Sequence, residues 1–278
     1  MLTRLKWAAR GAICRLIMAP LRMVGSQIRI EALERLSETM VTTTDIDGAL
    51  LRFFTPTTLL QARARTVLSK EPDMVRWLDG LSRGTVLWDI GANVGVFSLY
   101  AARRTECQVL AFEPAAANFH ALARNVALND LTDQISAYCI ALSGTTGLGV
   151  LNLSSMAMGS AVSQFGNKGD KSRYMSSETT AQGMLGFTVD RFIEFFDPPF
   201  PSHIKIDVDG LELAIVEGAS HTLRDSRLQS VMLELSLSNS EERSAGIKMM
   251  EAAGLRYVSH GEAQSVDEES AANHLFAR

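Results

Sequence analysis

The chain has 278 residues, 46% of them hydrophobic, which is enough to bury one α/β core with a small appendage. Residues 1–30 carry six basic side chains and no acidic one, so with a net charge of −4 for the whole chain residues 31–278 carry −10. The acidic body argues against a nucleic-acid partner, and three cysteines without a C-x-x-C pair argue against a disulfide framework and fit a reducing, cytoplasmic location.

The first 30 residues predict a basic amphipathic helix. Its apolar side chains recur at steps of three and four residues, with the arginines largely opposite: Leu2, Leu5, Ala9, Ile13 and Leu16. Arginines interrupt every candidate apolar core, which excludes a secretory signal and a membrane-spanning helix. Four hypotheses stay open: peripheral contact of residues 1–25 with an anionic membrane, a packing or dimerisation helix, a basic tail, or an organellar transit segment.

Residues 31–84 are predicted to form a mostly helical cap before the core. Glu71 precedes Pro72 at a predicted helix start, and proline is favoured in the first helical turn. The apolar stripe of this helix consists of Met74, Trp77, Leu78 and Leu81.

From residue 85 onwards short apolar strands alternate with helical patterns. Strands are predicted at 86–90, 109–112, 135–140, 204–208, 230–235, 255–259 and 274–277, and helices at about 95–103, 115–128, 210–224 and 241–253. This alternation predicts an α/β fold in which a mostly parallel sheet has helices on both faces. Residues 143–187 are predicted to be a long irregular region, either a substrate lid or an insertion without chemistry.

A glycine-punctuated turn follows the first core strand, in the sequence Asp89-Ile90-Gly91-Ala92-Asn93-Val94-Gly95. Such a turn brings backbone N–H groups and a helix N-terminus to the carboxyl end of a buried strand, where open α/β sheets bind ligands. The spacing lacks the full G-x-G-x-x-G pattern of dinucleotide sites, which favours a smaller nucleoside ligand. Glu113 follows Asp89 by 24 positions, close to the spacing at which an acid meets ribose hydroxyls. The arrangement is typical of S-adenosylmethionine sites.

A second charged motif runs from Ile204 to Glu212. Strand alternation places Lys205, Asp207 and Asp209 on one face, which is costly in a buried sheet unless they pair or face a cleft. Lys205 and Asp207 are therefore predicted either to form a structural ion pair or to place Asp207 where it orients a substrate hydroxyl or accepts its proton. Binding of a hard cation by these carboxylates with Glu212 and Glu234 is the less favoured alternative, and no metal site is predicted.

Two weaker signals complete the motifs. Asp197-Pro198-Pro199-Phe200 matches the D-P-P-[FY] sequence of amino-methyltransferases, but it follows a predicted helix and is interpreted as a rigid proline loop. His260 and His274 lie near the ends of predicted strands and are candidate bases in the cleft.

Three blocks together resemble the FkbM family of S-adenosylmethionine-dependent methyltransferases: Lys70-Glu71-Pro72 with Trp77, the glycine block Trp88–Tyr100, and Lys205–Glu212. The resemblance covers roughly residues 66–278 and is strong because the glycine block is coupled to a K-I-D-x-[ED]-G-x-E block. It implies a Rossmann-like sheet of about seven strands and O-methylation of a hydroxyl, often of a sugar, glycolipid or secondary metabolite.

The resemblance also assigns residues to the cofactor. Four would line its methionine end: Asp89, Gly91, Asn93 and Gly95. Glu113 would hold the ribose, Ala141 would lie at the adenine, and Glu71 would close over the cofactor. Asp207 and Lys205 would be the catalytic residues, whereas Asp209 stands where the family usually has Glu and receives no catalytic role.

Two other classes of protein are alternatives. A nicotinamide oxidoreductase is disfavoured by the missing dinucleotide glycine, and a membrane-tethered scaffold with a vestigial cofactor site is disfavoured by the intact glycine turn and Glu113. The acceptor is expected to be a small molecule or a glycan, and neither its identity nor the oligomeric state follows from the sequence.

Overall fold

The computed structural model describes residues 16–278 except 17, 18, 21, 22, 47, 168–178 and 262–270. The chain divides into two units, residues 1–41 and 42–278. The first unit contains helix α1 (Ser26–Thr39). Of the apolar stripe predicted for the N-terminal helix, Leu16 is the one member among the described residues, and it is exposed. No helix in the described part of the chain is long and apolar enough to cross a membrane.

A seven-stranded sheet lies at the centre of the second unit. Its strands are β3 (Val86–Ile90), β4 (Gln108–Phe112), β5 (Ile135–Tyr138), β10 (His203–Ile206), β11 (Ser230–Ser236), β12 (Arg256–His260) and β13 (Ala271–Ala277). They lie in the order β12-β13-β11-β10-β3-β4-β5; the pairs from β11 to β5 are parallel, and β13 runs antiparallel to both β11 and β12. The predicted Rossmann-like α/β fold is confirmed. The strand order reverses between β3 and β10, which is where such sheets bind ligands.

Helices cover both faces of the sheet. They are α2 (Thr58–Lys70), α3 (Pro72–Asp79), α4 (Val96–Thr105), α5 (Ala116–Leu128), α6 (Val189–Phe196), α7 (Glu212–Glu217) and α8 (Ser240–Ala252). Alternate residues of one strand serve opposite faces: Leu87 packs with Met74 and Leu99, whereas Trp88 packs with Phe112 and Phe192. Because both faces are buried, the central strands are almost continuously apolar, as predicted.

Residues 31–84 contain a β-hairpin that the helical prediction missed. Strands β1 (Val41–Ile46) and β2 (Ala49–Phe54) form a two-stranded sheet, and Gly48 in the turn has a φ of 85°. Asn125 Oδ1 accepts from Phe54 N at 2.7 Å and Asn129 Oδ1 accepts from Arg52 N at 2.8 Å. The hairpin is thus fastened to α5, a partner more than 70 residues away, and residues 42–84 belong to the same unit as the sheet.

Residues 143–187 were predicted to be irregular. This prediction was wrong, because the region contributes strands to a second sheet. The strands β6 (Ala141–Leu142), β7 (Gly147–Leu153), β8 (Ser163–Gly166) and β9 (Thr180–Phe187) form a sheet in the order β6-β9-β7-β8. The glycines that suggested a loop serve packing, because a Cβ at Gly149 or Gly186 would lie 2.7 or 2.4 Å from the Phe165 ring. A glycine can mark close packing inside a strand as well as a turn.

The Asp197–Phe200 segment is a loop between α6 and β10, as interpreted from the sequence. Asp197 ends α6 with a φ of 42°, and the carbonyl of Pro199 accepts a hydrogen bond from Trp88 Nε1 at 3.0 Å. The loop precedes β10, so it lies at the amino end of that strand, away from the carboxyl ends that carry the charged motif.

Candidate functional site

A cleft of about 1100 Å³, including its opening to solvent, lies at the carboxyl ends of β3, β4 and β10. Its polar lining comes from several elements: Arg63, Lys70, Glu71, Asn93, Glu113, Asn118, Ser160, Lys205, Asp207, Asp209 and Glu234. Its apolar lining includes Ile90, Phe112, Ile140, Ala141 and Leu142. A concave site that combines apolar side chains with convergent polar groups is the usual form of a small-molecule binding site.

The glycine turn between β3 and α4 forms the floor of this cleft. A Cβ at Gly91 would lie 1.8 Å from the carbonyl oxygen of Asp207, so only glycine lets the turn approach the end of β10 so closely. Gly91 has a φ of 81° and Asn93 a φ of 51°. Gly91 and Asn93 line the cleft, as predicted for the methionine end of the cofactor.

Two of the residues expected to line the methionine end lie elsewhere. Gly95 begins α4, where a Cβ would lie 2.3 Å from Leu122 Cδ1, so it serves helix packing. Asp89 is only 1% exposed and accepts a hydrogen bond from Ser98 Oγ at 2.5 Å. Strand alternation points the Asp89 side chain into the helix-covered face beneath the cleft, and the sequence spacing alone did not show this depth.

Glu113 ends β4 with its carboxylate almost fully buried. Oε2 accepts from Asn93 N at 2.8 Å and Oε1 accepts from Ala115 N at 2.9 Å. Desolvation by burial raises the pKa of Glu113 to about 7, although these hydrogen bonds favour the ionised form. Asn118 Nδ2 also donates to Oε1, at 3.3 Å, so of the about four lone-pair positions of the carboxylate one, on Oε2, stays open to a hydroxyl donor from a ligand.

Lys205 joins two carboxylates at the strand-order switch. Its Nζ lies 3.4 Å from Asp89 Oδ1 and 3.0 Å from Asp207 Oδ2. Desolvation opposes the charge of Lys205, but the carboxylates outweigh it and hold its pKa above the usual value. For Asp207 burial is likewise outweighed by Lys205, so the pKa of Asp207 lies below its usual range. Asp207 is therefore ion-paired and also lines the cleft, and its action on a substrate hydroxyl stays a prediction.

Glu71 reaches the cleft from the junction of α2 and α3. Its Oε2 accepts a hydrogen bond from Asn273 Nδ2 on β13 at 3.1 Å, and burial followed by repulsion from Asp207 raises its pKa. Burial also raises the pKa of Glu234, which donates to Asp207. Asn273 was missed in the sequence, where its one signal was a polar residue inside a buried strand. In the described part of the chain no group of His, Cys, Asp and Glu side chains is arranged to hold a metal.

The segment between β7 and β8, residues 154–162, crosses the cleft and is called the strap here. The carbonyl of Ser160 accepts from Asn93 Nδ2 and Asn118 Nδ2, both at 3.0 Å. Asp209 Oδ2 accepts from Val162 N at 2.6 Å, so Asp209 holds the strap. Asn118 was not recognised in the sequence as a site residue, because an asparagine inside a helix is usually a surface residue.

The two histidine candidates do not reach the cleft. His274 is buried in β13, and burial lowers its pKa. Its ring lies 5.7 Å from that of His260 on β12. These strands form the edge of the sheet, with β11 and β10 between them and the glycine turn, so the prediction of a histidine base was wrong.

The chain matches the model of a known protein family. The profile of the methyltransferase FkbM domain matches residues 89–262, more than half of the chain. The chain belongs to the FkbM methyltransferase family. Of the three sequence blocks that carried the resemblance, the glycine turn and Lys205–Glu212 lie within the matched residues and meet at the cleft, whereas the block at residues 70–77 lies outside them.

Two relatives of this chain are named as methyltransferases. The methyltransferase sdnD of Sordaria araneosa is 45% identical over 60 residues, which cover 21% of this chain and 23% of the relative. The hexuronic acid methyltransferase AglP of Haloferax volcanii is 27% identical over 158 residues, which cover 56% of this chain and 59% of the relative. The matched segments thus span less than two thirds of either relative.

Two solved structures have a similar chain course. M. jannaschii TYW2 in complex with AdoMet has a TM-score of 0.45 at 12% identity, covering 86% of this chain and 85% of that chain. The precorrin-6y C5,15-methyltransferase of Geobacter metallireducens has a TM-score of 0.45 at 14% identity, covering 84% and 97%.

The methyl donor of the family is S-adenosylmethionine. The residues at the cleft fit this group. Asn93 Oδ1 is buried and has no hydrogen-bond partner among the described residues, and Glu113 Oε2 keeps one lone-pair position for a ligand. Apolar side chains suited to a purine lie on the same wall as Ala141.

Proposed function

We propose that this FkbM methyltransferase transfers a methyl group to a hydroxyl oxygen of a sugar, a glycolipid or a secondary metabolite. The observation that carries the proposal is Asp207, whose carboxylate is held 3.0 Å from Lys205 Nζ while 26% of its side chain is exposed. A charged, oriented carboxylate beside the glycine turn is suited to bind the proton of a hydroxyl. The name of the Haloferax relative supports a sugar as acceptor.

The residues that we assign to the cofactor line the cleft. Gly91 and Asn93 would contact the methionine end, Glu113 the ribose hydroxyls, and Ala141 the adenine. Glu71 would close the site from the helix junction, where Asn273 holds its carboxylate. When bound, the sulfonium of S-adenosylmethionine supplies an electrophilic methyl group.

The reaction requires little covalent chemistry from the protein. Asp207 would accept a hydrogen bond from the acceptor hydroxyl, orient its oxygen towards the methyl group, and take its proton as the C–O bond forms. Lys205 is a positioning residue, since its ion pairs with Asp89 and Asp207 fix the direction of the carboxylate. Holding donor and acceptor in line supplies most of the rate enhancement.

The proposal is tested by calorimetry with S-adenosylhomocysteine and by transfer of labelled methyl groups to hydroxyl acceptors. We expect the wild-type chain to bind S-adenosylhomocysteine and Glu113→Ala to bind it at least tenfold more weakly, because a buried carboxylate that accepts a hydrogen bond from a ribose hydroxyl is lost. Absence of binding by the wild type would refute the proposal. Binding without transfer to any sugar, lipid or small-molecule hydroxyl would favour the scaffold alternative.

Contact of residues 1–25 with an anionic membrane stays a prediction. Flotation with anionic liposomes should be lost when residues 1–25 are deleted. Unchanged flotation after the deletion would contradict it.

A further inference from the structure

The charged side chains that line the cleft are mostly acidic, with a few basic ones among them. Among the described residues that line it, only Arg63, Lys70 and Lys205 are cationic. Lys205 is neutralised by its two ion pairs with Asp89 and Asp207. Arg63 and Lys70 both lie on α2, seven residues and therefore about two turns apart, so they share one face of the helix.

The guanidinium of Arg63 is held in a fixed orientation. Its Nε donates to the carbonyl of Gly159 in the strap at 2.7 Å. Gly159 N in turn donates to Asn118 Oδ1 at 2.8 Å, so the strap is itself anchored on α5. No hydrogen bond among the described residues engages Arg63 Nη1 or Nη2, which leaves the outer edge of the guanidinium available at the cleft.

An oriented arginine of this kind has a characteristic ligand. The planar guanidinium binds a carboxylate through two parallel N–H···O bonds, which gives both affinity and direction. The carboxylates of Glu71, Asp207 and Asp209 would repel an acidic acceptor from the cleft unless a cation met its charge. Arg63 is the cation in place to do so, whereas Lys70 on the same helix face pairs with Glu71, its Nζ lying 4.0 Å from Glu71 Oε1.

We propose that Arg63 is a specificity-determining residue that binds a carboxylate of the acceptor, so that the acceptor is an acidic sugar of the uronic acid class. This inference rests on the proposed function and narrows its substrate. The methionine end of the cofactor also bears a carboxylate, and the experiment must separate these two sources.

The test measures sugar binding to the full chain loaded with S-adenosylhomocysteine. The probes are methyl β-D-glucuronide and methyl β-D-glucoside, which differ only in a carboxylate against a hydroxymethyl group, with glucose 6-phosphate as a third arm. The variants are Arg63→Gln, Arg63→Lys and the matched control Arg65→Gln, an exposed arginine of the same helix outside the cleft. The affinity of each variant for S-adenosylhomocysteine is measured in parallel.

We expect the wild type and Arg65→Gln to bind the glucuronide at least tenfold more tightly than the glucoside. Arg63→Gln should abolish this ratio, and Arg63→Lys, which keeps the charge but loses the fork, should retain part of it. A fall in the affinity for S-adenosylhomocysteine is expected from the lost Arg63–Gly159 bond to the strap, and the sugar ratio alone decides the inference. A loosened strap would weaken both sugars equally, so the ratio separates carboxylate binding from a structural effect.

Three results would overturn the inference. They are no glucuronide preference in the wild type, a preference for glucose 6-phosphate over the glucuronide, and weaker S-adenosylhomocysteine binding in Arg63→Gln with the sugar ratio intact. Each of them leaves cofactor binding by the wild type in place, so it refutes the role of Arg63 without refuting methyl transfer. Loss of S-adenosylhomocysteine binding by the wild type would instead refute the proposed function.

Discussion

Lys205 and Asp89 face each other across the parallel strands β10 and β3, with Nζ and Oδ1 3.4 Å apart and side chains only 2% and 1% exposed. Removing one partner of a buried ion pair leaves an uncompensated charge, which costs about 3–5 kcal/mol of stability. We expect Lys205→Met to lower the free energy of unfolding by this amount in urea titrations. The double variant Lys205→Met/Asp89→Asn should recover part of the loss. Simple additivity of the two single variants would contradict this coupling.

Asp207 should affect turnover far more than cofactor affinity. Asp207→Asn keeps the shape of the side chain but removes the charge that binds the hydroxyl proton. We expect kcat to fall by about 10²–10⁴-fold, whereas the Kd for S-adenosylhomocysteine changes little. Asp197→Asn is the control, because Asp197 is exposed in the proline loop at the amino end of β10. Equal losses of kcat in both variants would count against a catalytic Asp207.

Cofactor binding should depend on pH through Glu113. Hydroxyl donors bind the carboxylate rather than the acid, and with a pKa of about 7 Glu113 becomes mostly ionised between pH 6 and pH 8. We expect the Kd for S-adenosylhomocysteine to fall by about tenfold over this interval in calorimetric titrations. Glu113→Gln should bind weakly and without this dependence. Persistence of the full pH dependence in Glu113→Gln would assign it to another group.

The strap should control how long the cofactor stays bound. Asn118→Ala removes the amide that donates to Ser160 and accepts from Gly159. We expect about tenfold faster dissociation of S-adenosylhomocysteine, the effect of losing roughly 1.4 kcal/mol, and less hydrogen-exchange protection of residues 154–162. Asn129→Ala is a matched control: Asn129 is 3% exposed, against 4% for Asn118, and bonds the hairpin instead. Equal dissociation rates in the two variants would exclude a role for the strap.

Glu212 should make stability depend on pH. Its Oε1 accepts from Val208 N at 3.2 Å and Gly210 N at 3.0 Å, and burial raises its pKa to about 7. Because the folded-state pKa exceeds the unfolded value near 4.5, its stabilising contribution is complete below pH 4.5 and is lost as the pH rises to 7. We expect Glu212→Gln, which retains Oε1, to exceed the wild type in stability by roughly 2–3 kcal/mol at pH 8 and to differ little at pH 4.5. A constant difference between the two values of pH, measured by urea unfolding, would contradict this assignment.

The five strands from β11 to β5 were predictable because each is short, mostly apolar and next to a helical pattern. The hairpin at 41–54 was not, because its strands are held by Asn125 and Asn129 of a helix more than 70 residues away. The sheet formed by β6–β9 was hidden because Gly149 and Gly186, which resemble turn residues, make room for the Phe165 ring. The pattern of apolar residues along a segment shows only the period of that segment. The hairpin and the second sheet depend on contacts between residues distant in sequence, so this pattern did not predict them.

The residues of the candidate site likewise divide into those that the sequence predicted and those that it did not. The glycine turn, Glu113 and the Lys205–Asp207 alternation were visible in the sequence, since each depends on neighbours within a few residues. Arg63, Asn118 and Asn273 were not, because they come to the cleft from elements with no motif of their own. Asn273 meets Glu71 across 202 residues of chain.

By itself, then, the sequence determined the family, the cofactor class and the sheet, because these follow from short motifs and from strand and helix periods. Only the tertiary structure decided which charges face the cleft and which lie beneath it. Asp89 and Asp207 flank Lys205 in the same way, yet Asp89 is 1% exposed whereas 26% of the Asp207 side chain is exposed. The physical reason is that Asp89 precedes the end of its strand and is covered by α4, whereas Asp207 follows the last residue of β10.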